Sequence, residues 1–101
     1  MKTSKVIAQV KAERKRQDRM WGEQNHRPEK YLLILNEEVG EVNKAICDNI
    51  DFETGYIFPE GIKQYREELV QVAAVAIAMI ESLDRKKWRT RLDDLTENIS
   101  E

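Results

Sequence analysis

The stretch Leu69-Val-Gln-Val-Ala-Ala-Val-Ala-Ile-Ala-Met-Ile80 holds a single polar side chain, Gln71. A bilayer-spanning helix needs about 20 apolar residues, so this run is too short to cross a membrane. It predicts instead a helix buried on all sides at the centre of an all-α protein. That helix is expected to start near Pro59 or Gly61 and to end at about Asp84. A glutamine within such a run has to be hydrogen-bonded or to act as a ligand.

Just upstream stand Glu67 and Glu68, and a comparable cluster, Glu37-Glu38-Val39-Gly40-Glu41, lies in an earlier apolar stretch. Ionised carboxylates are costly to desolvate, and apolar surroundings retain them mainly where a counter-charge or a metal is at hand. The second cluster falls in a predicted helix over residues 28–48, with Pro28 in the first helical position. Leu35, Val39, Val42 and Ile46 recur there at helical spacing and form its core stripe. Residues three apart on a helix project from nearly one face. Glu38 with Glu41, and Glu68 with Gln71, therefore make two pairs of oxygen donors. Packed together, the two helices would present up to four oxygens to a hard divalent cation, magnesium or manganese rather than zinc. On a helical wheel Glu38 and Glu41 share a flank of the core stripe, whereas Glu37 points nearly away from it.

Outward from these two helices the pattern is simpler. Thr3 or Ser4 can cap a first helix running to about Met20, with Val6, Ile7 and Val10 as its apolar contacts. Trp21 to Arg27 reads as a connector around Gly22 and Asn25. Asp48 to Gly61 lacks a helical period, and its Phe52, Tyr56 and Phe58 suit either a ligand cover or a subunit contact. Trp88, Leu92, Leu95 and Ile99 suggest a short fourth helix. No repeat, low-complexity tract or strand pattern stands out.

A chain of 101 residues with 36% charged residues and four glycines is expected to form one helical domain over residues 1–101. Its core would be small, so a homodimer or homotetramer is expected to complete the bundle. The net charge of −2 gives no global attraction to nucleic acid or to an anionic membrane. Residues 1–20 nevertheless carry seven Lys or Arg against two acids, a pattern more often a solvated face than a phosphate contact. The lone cysteine, Cys47, excludes an intrachain disulfide and is expected to serve packing. The charged N-terminus shows no export signal, and a cytoplasmic setting is expected.

Glu-Glu-x-x-Glu, a spacer of 26 residues, then Glu-x-x-Gln resembles the Glu-Glu-x-x-Glu…Glu-x-x-Asp signature of MazG-like nucleoside triphosphate pyrophosphohydrolases. Trp21-x-x-Gln24-x-His26-x-Pro28, leading through Leu32 and Leu33 to Glu38, resembles the approach to the metal helix in that all-α superfamily. Together the likeness covers about residues 10–83. It implies magnesium-dependent cleavage between the α and β phosphates of a nucleoside triphosphate, giving a monophosphate and pyrophosphate. By position it implies Glu38, Glu41 and Glu68 as metal ligands, with Gln71 where the pattern has aspartate. A glutamine brings one neutral carbonyl oxygen, so site charge and metal affinity should both be lower.

Glu37 is the nominated residue to orient or deprotonate water. The resemblance also gives Trp21 a nucleobase to stack on; the alternative is that it anchors the connector. His26 is read as structural. The family's later phosphate-binding pattern is not reproduced, and Lys86, Lys87, Arg89 and Arg91 are its candidate substitutes. A ferritin-like di-iron site is excluded because it needs a Glu-x-x-His on each of two helices and the chain has one histidine. The main rival is a non-catalytic metal-binding or interaction protein, for which Gln71 is the chief argument. A nucleic-acid binder ranks third.

Overall fold

A computed structural model describes residues 2–85, which form three helices: α1 (Thr3–Trp21), α2 (Pro28–Cys47) and α3 (Pro59–Arg85). The suggested fourth helix, with Trp88, Leu92, Leu95 and Ile99, lies outside the described residues. Among the described residues no helix is long and apolar enough to cross a membrane.

Local chemistry sets the helix ends. Pro28 occupies the first turn of α2 after an extended Arg27, where its missing N–H costs nothing. Glu29 and Glu60 sit in the first turns of α2 and α3, and Lys44 and Arg85 in their last turns, in line with the helix dipole. Helix α1 is terminated by Gly22, whose φ of 72° and ψ of −174° are open essentially only to glycine. The N-terminus of α1 departs from the expected cap. Lys2 holds the cap position without a side-chain hydrogen bond, and Thr3 is already helical.

Helix α3 is the centre of the arrangement. Both α1 and α2 pack on it, and no Cα of α1 comes within 8 Å of α2. Small side chains allow close approach: Ala74 on α3 and Ala45 on α2 are fully buried, joined by Val10, Tyr31, Val75 and Ser82. Coverage of α3 is nevertheless one-sided within the single chain, short of the all-round burial expected of a bundle completed by oligomerisation. Leu69, Ile77 and Ile80 are exposed, because two helices cannot enclose a third. Val39 of the predicted α2 stripe and Ile7 of α1 are exposed for the same reason, while Leu35, Val42 and Ile46 are half-buried. Cys47, expected to serve packing, is exposed at the last turn of α2.

The segment between α2 and α3 is a compact hairpin-like turn, not a shapeless loop. Ile50 bridges Ile57, Asp51 N–H donates to the Tyr56 carbonyl at 2.8 Å, and the Asp51 carboxylate accepts from Glu53 N–H. Phe52, Tyr56 and Phe58 are exposed on it, the last two in edge-to-face contact. Asn49 locks this turn to α3. Its amide donates to the Ala45 carbonyl, and a Cβ placed on Gly61 would fall 2.1 Å from its own Cβ. Gly61→Ala should therefore lower stability by about 1–3 kcal/mol, the usual cost of overpacking. Thermal melting of wild type and variant checks this, and equal melting temperatures would refute the close approach.

Candidate active site

Seating α1 and α2 on α3 without mutual contact leaves a cleft between them. It has a volume of about 250 Å³ and takes in Arg14, Arg16 and Trp21 of α1, Tyr31, Ile34 and Glu38 of α2, and Gln71 and Val75 of α3. The connector closing one end is held by both neighbours. The Tyr31 hydroxyl donates to the Gln24 carbonyl at 2.9 Å, and Arg85 reaches the same carbonyl, the Asn25 side chain and Glu23. His26 rests edge-on against Tyr31 with ring centroids 5.0 Å apart, in the structural role expected of it. Trp21, at the end of α1, lines this cleft while remaining 63% exposed.

Of the nominated carboxylates Glu38 lines the cleft, and Glu37, Glu41 and Glu68 are not among its lining residues. Glu38 is half-buried, and its carboxyl is held above the ordinary carboxylate range, first by burial and then by the charges of Glu68, Glu37, Glu41 and Glu13. The two helices thus bring Glu38, Glu41 and Glu68 into one electrostatic field. Glu37 and Glu41 are exposed, and Glu68 is half-buried. Among the described residues, no three His, Cys, Asp or Glu side chains converge on a common point. The carboxylates share a field without sharing a ligation point. In kind, the donor set fits a hard divalent cation: oxygen atoms, excess negative charge, and neither thiolate nor imidazole.

Gln71 is engaged with α1. Its Nε2 donates to Glu13 Oε1 at 2.8 Å, and its Oε1 accepts from Gln17 Nε2 at 3.4 Å. Glu13 is itself clasped by Arg16, whose Nε lies 2.9 and 2.8 Å from its two oxygens. That hydrogen bond, more than any other influence, keeps the Glu13 carboxyl below its ordinary value against the opposing effect of burial. Glu13 was not among the residues nominated from sequence. Its signal was available: it follows the buried Val10 by three residues and precedes Gln17 by four, on the inner face of α1. Lys86, Lys87, Arg89 and Arg91, the nominated phosphate contacts, lie outside the described residues; Arg14 and Arg16 line the cleft instead.

Comparison with protein-family models, with curated proteins and with solved structures finds no match for this chain.

The raised Glu38 pKa has a definite consequence for stability. Protonating Glu38 is easier in the folded than in the unfolded chain, so its contribution is fully present below the ordinary carboxyl value of 4.5. That contribution is lost as pH rises through the raised value. In metal-free buffer near neutral pH, Glu38→Gln should melt above wild type, and the gap should close as the pH falls towards 4.5. Melting curves in EDTA across this range test it; a variant less stable than wild type at pH 7 would contradict the assignment.

Proposed function

We propose that the protein is a magnesium-dependent nucleoside triphosphate pyrophosphohydrolase, converting a (d)NTP to the (d)NMP and pyrophosphate. The observation that carries this reading is Glu38: a half-buried carboxylate beside a cleft, under the charges of Glu68 and Glu41. A carboxylate in that position raises the energy of the folded chain unless a cation offsets the repulsion. Glu38, Glu41 and Glu68 would hold magnesium, with Gln71 offering a neutral oxygen, and manganese is the natural substitute. The ion would neutralise the phosphate charge that repels an incoming nucleophile.

The chain's own groups divide the remaining work. Glu37, exposed beside Glu38, is the proposed base that orients and accepts a proton from the attacking water. Trp21 offers its exposed ring to a nucleobase at the cleft, where Tyr31 and Ile34 form an apolar wall. The setting proposed is the cytoplasm, where nucleotide house-cleaning takes place.

The reading includes self-association into a homodimer or homotetramer. Leu32, Leu33, Ile62, Ile80 and Leu83 are each more than half exposed, an apolar surface that a second copy would cover. Sedimentation should give a dimer or larger species even when dilute, and a stable monomer would overturn this part.

One observation favours a second reading, a non-catalytic metal-binding or interaction protein with the same architecture. Gln71 is occupied by Glu13 and Gln17 and stands away from free ligation. Activity separates the two readings. Pyrophosphate release from a panel of nucleotides should require magnesium or manganese and stop on chelation. Glu38→Gln, Glu41→Gln and Glu68→Gln should each lower it by about a hundredfold or more, with the helical circular dichroism intact. Unchanged rates in these variants would remove the ligand assignment.

A further inference from the structure

Two cations line the cleft among the described residues, and they differ in how they are held. Arg14 is fixed. Its side chain is only 12% exposed and pairs with Glu81 at 2.8 Å and Asp18 at 3.1 Å, while also donating to Gln17. Removing it from those partners would strand a guanidinium in a partly buried place and release α1 from α3. Arg16 is 46% exposed and has one acidic partner, Glu13, three residues away on the same helix. That pair is a fork onto a carboxylate only 12% exposed, yet it ties Arg16 to its own helix alone, so the guanidinium can turn to the cleft without parting α1 from α3 while Gln71 stays on Glu13. A triphosphate presents several negative charges and planar oxygen pairs that suit a guanidinium fork.

We propose that Arg16 exchanges partners during binding, leaving Glu13 for the phosphate chain of the substrate, so that α1 supplies the cleft's anion contact. The inference rests on the pyrophosphohydrolase reading given above. It also assigns Glu13 a consequence. Relieved of Arg16, its carboxylate remains 2.8 Å from the Gln71 amide, and its charge, already one of those acting on Glu38, is no longer offset by a neighbouring cation. Anion capture by Arg16 and cation capture around Glu38 thereby become linked, each favouring the other.

Two calorimetric titrations test this on the full chain, one with magnesium alone and one with inorganic tripolyphosphate in the presence of magnesium. Arg16→Gln should weaken tripolyphosphate binding by about tenfold or more, as loss of a charged bidentate contact does. The same variant should bind magnesium alone several-fold more tightly, because Glu13 is no longer neutralised. A purely structural role for Arg16 would not produce this opposite pair of shifts. Arg16→Lys should fall between, and Glu13→Gln combined with Arg16→Gln should abolish the magnesium gain. Circular dichroism establishes that each variant is folded. If Arg16→Gln leaves either titration at the wild-type value, the exchange is wrong. The parent reading survives that result where the wild type still releases pyrophosphate from a nucleotide. A wild type that binds neither probe and hydrolyses no nucleotide overturns both.

Discussion

Everything else in this protein follows from the way α3 is covered. Ala74 of α3 and Ala45 of α2 are fully buried, and α1 and α2 both pack on α3 with no Cα of one within 8 Å of the other. The groove between them collects side chains from all three helices. The same constraint explains the exposed apolar residues on the remaining face of α3 and on α2. An apolar run with two neighbouring helices among the described residues leaves apolar surface uncovered, which the proposed self-association would bury.

Electrostatics give the groove its character. Most of the acids among the described residues are exposed and cost little where they are. Glu38 differs because burial and several like charges act on it together. On the α1 side the opposite principle operates. Glu13 is half-buried yet anionic, since Arg16 and the Gln71 amide satisfy both of its oxygens. One wall of the groove therefore carries a carboxyl under like-charge repulsion, and the other is neutralised by a cation of its own. Such an arrangement responds to a ligand carrying both signs of charge, as a magnesium-bound phosphate chain does.

Much of this was legible in the sequence because helical periodicity is a strong local signal. The three helices follow from spacing of three and four residues, and Pro28 marks the start of α2. Tertiary facts were harder to read. An apolar run shows that a helix needs cover, but not which of its residues a single chain leaves bare, here Leu69, Ile77 and Ile80. Cys47 looked like packing because cysteine usually is, yet it is exposed in the last turn of α2. Glu13 was concealed within a basic segment whose net charge suggested a solvated face. The hairpin-like turn over residues 48–58 depends on Gly55 with a φ of 73° and on side-chain hydrogen bonds that have no periodic signature.

The central proposal is chemical: that the groove beside Glu38 directs water to the α phosphorus of a nucleoside triphosphate, not to its terminal phosphate. Phosphorus-31 magnetic resonance of the purified protein with magnesium and a nucleotide panel observes both possibilities in one spectrum. The account predicts that the triphosphate signals of at least one nucleotide give way to monophosphate and pyrophosphate in equal amounts. Diphosphate with orthophosphate, or triphosphates that persist unchanged across the whole panel, would contradict it.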